Sequence, residues 1–322
     1  MSILVIGGMG FIGSRITKFL IEQGEDVLVM GRRPTLHRLR EVAKKVKVIQ
    51  GDKTNIDQII DLIKVHDVEK IIDVSYELEV ESERAPFNAS KLNILGTLNI
   101  FEAARIMGIR RVVWASSIAV YGDKKRAKGI PQNEDALNDP VTVYGACKNY
   151  GEFMAKLYNA RWGMDIVCLR PSPLYGPLRA GGATGWLTNI VKMPMAGQIV
   201  EIPVGRDETM NFCFVDDSAD AFVRCCQYKG TRLPHPIYYI GGVTVRVREF
   251  VAEIKKHIPE TKVHYQGKYM YYIDCVDNSR LCEDLSFKLK YDIEAGIREQ
   301  VVRQCALNNT AKGEIVDPQY PA

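Results

Sequence analysis

No stretch of about eighteen consecutive apolar residues, the length a membrane helix needs, occurs in this chain. The apolar opening Met1–Ile6 is too short for the core of a secretory signal. Histidine is scarce, at five residues, and none stands with cysteine at a zinc-holding spacing, so no metal site is expected. The eight cysteines, at 147, 168, 213, 225, 226, 275, 282 and 305, form no CxxC pair. With no sign of secretion they read as reduced thiols, and a cytoplasmic location is expected. Low-complexity linkers and internal repeats are also missing. Charge is nearly balanced, 43 Lys and Arg against 39 Asp and Glu, which gives no reason to expect a nucleic-acid or membrane partner. The one basic cluster, from Arg32 to Lys47, fits a solvated face for most of its members.

The 322 residues suffice for one large domain or two intimate ones with a sizeable core. The first thirteen residues organise the rest. Ile3–Ile6 is a short apolar run stopped by Gly7 and Gly8, the pattern of a buried parallel strand. Glycines follow at 7, 10 and 13, and an amphipathic segment, Ser14–Gln23, comes next. Strand, glycine turn and helix is the context in which such glycines hold a dinucleotide. Gly7 permits the tight turn, Gly10 lets backbone approach a pyrophosphate, and Gly13 lets helix and strand pack closely. The N-terminus of the helix would then face the phosphates. A glycine turn alone also fits a purely structural role, so the remainder of the chain decides.

A second strand, Asp26–Met30, ends in Gly31, Arg32 and Arg33. An acid here would bond the ribose 2′-hydroxyl of NAD, whereas arginines suit a 2′-phosphate. The two guanidiniums therefore favour NADP, with NAD as the alternative. A third strand, 46–50, leads to Gly51 and Asp52. Asp52 reads either as an acceptor for an adenine amino group or as a cap for the next helix. Further strands are expected at 70–74, 110–116 and 165–169, and helices at 86–107 and 143–162. The alternation predicts an α/β protein with a Rossmann-type, doubly wound parallel sheet. We expect residues 1–171 to form the dinucleotide-binding domain. Residues 172–322 would form a smaller, mixed α/β, mainly substrate-binding region, part of it packing back on the sheet. Their loops are the least repetitive in the chain.

The chemistry centres on Tyr144 and Lys148. Four residues apart on a helix, they share one face. A neighbouring ammonium stabilises a phenolate and makes tyrosine a usable acid or base near neutrality. Ser117 follows the fifth strand, at the sheet edge where ligands of parallel sheets bind, and can donate to a substrate oxygen. Tyr76 and Glu77, after the fourth strand, fall at the same mouth and receive no role.

Taken together, GGMGFIG at 7–13, GD at 51–52, NILGTLN at 93–99, SSIAVYG at 116–122, YGACK at 144–148, LRPSPLYGP at 169–177 and FVDDSADAF at 214–222 resemble the extended short-chain dehydrogenases/reductases of the NAD-dependent epimerase/dehydratase family. The resemblance covers nearly the whole chain. It implies Ser117, Tyr144 and Lys148 as the catalytic set, with Asn93 completing a proton relay. Gly7, Gly10, Phe11, Ile12 and Gly13 would hold the pyrophosphate, Lys148 the nicotinamide ribose, and Pro171 would flank the nicotinamide. It also implies a homodimer through the helices 86–107 and 143–162.

Departures from the family pattern narrow the chemistry. Ile118 and Ala119 stand where the nucleotide-sugar 4,6-dehydratases carry Asp and Glu, which removes that elimination. Met210 lies near the place of an arginine that grips a sugar-nucleotide diphosphate, and Ser172–Pro173 replaces an asparagine. Arg206 or Arg179 would have to substitute. The expected function is NAD(P)-dependent hydride transfer between nicotinamide and a ketone or secondary alcohol, a small-molecule substrate that is sugar-derived in one version of this reading. One alternative is a sugar or nucleotide-sugar epimerase. Another is a catalytically silent NADP-binding regulator, which the retained Ser117, Tyr144 and Lys148 argue against.

Overall fold

The structure is a computed structural model that describes residues 2–127, 129–179 and 181–310. Its strands are β1 Ser2–Ile6, β2 Val27–Gly31, β3 Lys47–Gln50, β4 Val68–Asp73, β5 Arg111–Ala115, β6 Asp165–Pro171, β7 Leu174–Tyr175, β8 Val200–Val204, β9 Thr209–Phe214, β10 Ile237–Ile240, β11 Val243–Arg246 and β12 Val263–Lys268. Seven of them form one parallel sheet in the order β10-β6-β5-β4-β1-β2-β3. The strand order reverses at β1, whose neighbours are β2 and β4. In such sheets the crevice beyond the carboxyl ends of the strands at this switch point binds the ligand.

The central strands are apolar along their length because both faces are covered. All five residues of β1 and of β5 are buried. Helices Phe11–Glu22, Val215–Gln227 and Ser279–Leu285 pack on one face through Ile16, Leu20, Phe222 and Leu281. Helices Ile56–His66, Gly96–Ile106 and Val143–Trp162 cover the other through Ile59, Phe101 and Ala155. Residues beyond 171 thus contribute one strand and two helices to the main layer structure. Their own core is separate. Trp186, Ile190, Val200, Ile202, Phe212 and Phe250 pack together between β8, β9 and the helices Trp186–Met195 and Val247–His257.

Helix Val143–Trp162 has the predicted bounds, capped by Thr142, whose hydroxyl accepts from the Gly145 amide at 3.0 Å. The predicted helix over 86–107 is instead three segments: Pro86–Ser90, a π-helical turn Lys91–Leu95, and Gly96–Ile106. The cap of Ile56–His66 is Asn55, which accepts from the amides of Asp57 and Gln58. Asp52 therefore does not cap that helix. Its Oδ1 accepts from the amide and hydroxyl of Thr54, both at 2.9 Å, closing the turn before it. Among the described residues no helix is long and apolar enough to cross a membrane.

Candidate active site

A cleft of about 500 Å³ runs across the carboxyl edge of the sheet, from Arg32, Arg33 and Arg38 at one end to Ser117, Tyr144, Pro171 and Arg179 at the other. Its floor in the middle is the glycine turn. Gly7 has φ +80°, where a side chain would be strained, and donates from its amide to the Met30 carbonyl at 2.9 Å. A Cβ on Gly13 would stand 2.1 Å from the Gly7 carbonyl oxygen. The helix Phe11–Glu22 therefore begins directly on the turn, with Gly10 as its extended N-cap. Its first amides have no helical acceptor and open into the cleft, together with the positive end of the helix dipole. This backbone cradle fits a pyrophosphate without a single charged side chain.

At the β2 end, Arg32 pairs with Glu77 at 2.9 Å, both partly exposed. Arg33 is exposed, with no ionic partner among the described residues. Arg38, further along the same loop, donates to the Leu178 carbonyl at 2.8 Å. Asp52 is not among the residues that line the cleft.

The other end is built from side chains. Tyr144 is buried on the first turn of its helix, and Ser117, at the head of a short 3-10 turn, lines the same end of the cleft. Lys148 is 2% exposed and donates to the Ala115 carbonyl at 2.5 Å. Its Nζ lies 3.2 Å from the ring centre of Tyr76, 4.5 Å from that of Trp114 and 5.5 Å from that of Tyr144. The expected depression of the tyrosine is not what these surroundings produce. Burial pushes the Tyr144 phenol well up, opposed by the Ser117 hydrogen bond and the charge of Arg179. Burial, reinforced by the charge of Lys53, pulls the Lys148 ammonium well down. Sharing a helix face leaves the Lys148 ammonium 5.5 Å from the Tyr144 ring centre, but desolvation is the largest influence on both groups.

Asn93, expected in a proton relay, lies outside the cleft lining. Its Oδ1 accepts from the Glu77 amide at 2.9 Å, and its Nδ2 donates to the Glu77 carbonyl at 3.0 Å. The amide is committed to holding the loop after β4. Pro171 lines the cleft as expected. Beside it Ser172 donates to Asn211 Oδ1 at 2.6 Å and shares a short hydrogen bond with Tyr239. Met210 is buried in the second core, and Arg206 is exposed and outside the cleft. Arg179 is inside it. It donates from Nη1 to the Leu174 carbonyl at 2.9 Å, while its buried Nε has no partner. Tyr272, also lining the cleft, donates to Glu79 at 2.5 Å.

The sequence reading missed Lys53 altogether. This lysine is 3% exposed, lines the cleft floor and pairs with the fully buried Asp73 at 3.1 Å. Asp73 also accepts from the amide and hydroxyl of Ser75 at 2.9 and 2.6 Å. A signal was available, since an acid directly after the apolar pair Ile71–Ile72 at the end of a strand needs a buried partner. Nothing local pointed to the lysine twenty residues earlier.

The switch-point cleft, the glycine cradle and the Ser, Tyr and Lys beside it define a dinucleotide-dependent enzyme. Residues 3–241 match the NAD dependent epimerase/dehydratase family. The chain belongs to that family, and it is an NAD(P)-dependent oxidoreductase or epimerase of the extended short-chain type. It is 32% identical over 233 residues to a UDP-glucose 4-epimerase of Mycolicibacterium smegmatis, covering 70% of this chain and 72% of that protein. The fold is shared with a Thermus thermophilus UDP-glucose 4-epimerase solved with NAD, at TM-score 0.85 and 23% identity, over 98% of this chain and all of the other. It is shared equally with an L-threonine dehydrogenase of Cupriavidus necator, at TM-score 0.84 and 23% identity, over 94% and 99% of the two chains.

Proposed function

We propose that the protein is a dehydrogenase or reductase that interconverts a ketone and a secondary alcohol on a small substrate bearing an anionic group, with NADP as the preferred cofactor. The observation that carries this reading is Arg179. Its guanidinium is a cation lining the catalytic end of the cleft, beside Tyr144, Tyr76 and Tyr272, and among the described residues it has no carboxylate partner, its buried Nε having no partner at all. Burial makes that guanidinium easier to discharge than an exposed one, so a bound anion gains more there than at the surface. Arg206 and Met210 stand outside the cleft, so neither position supplies a sugar-nucleotide diphosphate with a second cation beside Arg179.

The nicotinamide, when bound, supplies or accepts the hydride. The glycine cradle with the Phe11 and Ile12 amides would hold the pyrophosphate, and Pro171 would border the ring. Lys148 would hold the ribose. Ser117 donates to the substrate oxygen, and the Tyr144 hydroxyl gives or takes the proton at that same oxygen. The raised Tyr144 phenol suits an acid that stays protonated until a carbonyl needs its proton. Holding these groups in register is the main contribution of the scaffold. Arg32 and Arg33 would take the 2′-phosphate, and Asp52 would remain near the adenine. Residues 172–322 would carry most of the substrate contacts.

A second reading, epimerisation of a nucleotide sugar, draws on the mycobacterial relative. The deciding experiment incubates the purified protein with NADPH or NADH and a panel of keto acids and other carbonyl compounds, following nicotinamide absorbance. Net consumption of NADPH supports the reductase. Turnover of UDP-glucose with no net cofactor consumption supports the epimerase. We further propose a homodimer, because Phe87, Leu95, Phe153 and Leu157 are exposed on the two helical segments that the family resemblance assigns to a dimer face. Light scattering tests it, and a monomer at micromolar concentration would refute it.

A further inference from the structure

Lys148 lies behind the cleft wall, and Tyr76 is the wall. Tyr76 lines the cleft and Lys148 does not. The ammonium sits 3.2 Å from the centre of the Tyr76 ring, close enough for a strong cation–π contact. The ammonium also meets the Ala115 carbonyl at 2.5 Å and the centre of the Trp114 ring at 4.5 Å. Among the described residues no carboxylate pairs with this ammonium, and the nearby Asp73 holds Lys53 and Ser75 instead. The charge of Lys148 is therefore met by the Ala115 carbonyl and by ring faces, and the ring nearest to it is that of Tyr76, which lines the cleft. The same ring lies 5.9 Å from that of Tyr144.

The backbone on both sides of Tyr76 is fastened. Before it, Asp73 accepts from the amide and hydroxyl of Ser75, and Lys53 donates to the Ser75 carbonyl. After it, Asn93 holds both the amide and the carbonyl of Glu77. Rotation of the side chain is the freedom left. Any group in the cleft that takes a hydrogen bond from Lys148 needs the Tyr76 ring to turn aside.

We propose that Tyr76 is a positioning residue that caps Lys148, so that a cofactor reaches this ammonium only by displacing the Tyr76 ring. This rests on the reading of Lys148 as the residue that holds the nicotinamide ribose. The cap lowers apparent cofactor affinity by the work of uncovering the lysine. It also keeps an unpaired buried ammonium from meeting other anions in the cleft.

The test measures NADPH and NADH affinity by nicotinamide fluorescence for the wild type, Tyr76→Phe, Tyr76→Ala, Lys148→Ala and the Tyr76→Ala/Lys148→Ala double variant. In parallel, the rate at which a small amine-reactive ester labels Lys148 is read by peptide mass spectrometry. Tyr76→Ala is expected to bind cofactor about five- to twenty-fold more tightly, the range set by one cation–π contact, and to label Lys148 at least several-fold faster. Tyr76→Phe keeps the ring and should match the wild type in both measurements. Removing Lys148 should abolish the gain from Tyr76→Ala. Weaker cofactor binding in Tyr76→Ala with unchanged labelling would overturn the cap and make Tyr76 an ordinary wall of the site. If Lys148→Ala leaves cofactor affinity unchanged, the ribose-holding reading fails, and the labelling rates still decide whether Tyr76 covers the lysine. Circular-dichroism melts confirm that each variant is folded.

Discussion

The two ends of the cleft are made of different material. The glycine end is backbone: a turn at positive φ, a helix start and unpartnered amides, set within thirteen consecutive residues. The catalytic end is side chains drawn from five separated segments, at Tyr76, Ser117, Tyr144 with Lys148, Arg179 and Tyr272. A backbone cradle needs only small residues at fixed spacing, and spacing is visible in sequence. A side-chain cluster depends on which rings and charges the fold brings together, and on how far burial moves their protonation.

That contrast gives variants of unequal effect. Tyr144→Phe removes the only hydroxyl proposed to move the proton, so kcat should fall about 10²- to 10⁴-fold. Cofactor affinity should stay within about threefold of the wild type. Stopped-flow turnover and fluorescence titration measure the two, and unchanged kcat would sink the mechanism. Lys53→Ala removes one partner of the buried Lys53–Asp73 pair and leaves an uncompensated carboxylate. About 3–5 kcal/mol of stability should be lost, read by urea unfolding. A loss under about 1 kcal/mol would mean that the Ser75 amide and hydroxyl suffice to hold the Asp73 carboxylate. Gly13→Ala puts a methyl 2.1 Å from the Gly7 oxygen, so the helix must shift off the turn. Cofactor affinity should drop at least tenfold while Tyr144 and Ser117 keep their places. Equal damage to substrate binding would show that the two ends are less independent than their construction suggests.

Much of the fold was legible because its cause is local. The apolar runs of β1, β2, β5 and β6 are buried on both faces, and Thr142 marks the start of the catalytic helix. Beyond Pro171 the chain turns back into the sheet through β10, while β8, β9 and the helix Trp186–Met195 build a separate core. That region does not alternate regularly, and Pro194 within the helix Trp186–Met195 argues locally against a helix there. At the site, Gly7, Gly10 and Gly13 and the set Ser117, Tyr144 and Lys148 were readable as motifs. Lys53 was not, since its partner Asp73 is twenty residues on. Nor was the direction in which Tyr144 and Lys148 move, because helix spacing reports their proximity and not the burial around them. Asn93 is a third case: the family resemblance implies a relay role for it, and in the structure its amide grips the backbone of Glu77.

The arginines at the end of β2 are where the backbone-built end borrows side chains, and they test its independence most finely. Arg32 and Arg33 are exposed, and exposed pairs hold little energy, so each is a modest contributor. Changing both to Ala should weaken NADPH binding about tenfold and leave NADH within about twofold. Equal losses for both cofactors would remove the preference for the 2′-phosphate. The smallest expected effect is at Glu77. Its carboxylate holds Arg32 at 2.9 Å, and the same loop carries Tyr76 over Lys148. A 2′-phosphate must compete with that carboxylate for the guanidinium. Glu77→Gln removes the competitor but keeps the backbone amide and carbonyl that Asn93 grips. NADPH affinity should therefore rise about two- to threefold, NADH should not change, and the gain should vanish in an Arg32→Ala background. A rise for both cofactors would mean instead that the Arg32–Glu77 pair acts as a strap between the β2 and β4 loops, tying the glycine end to the loop that covers the catalytic lysine.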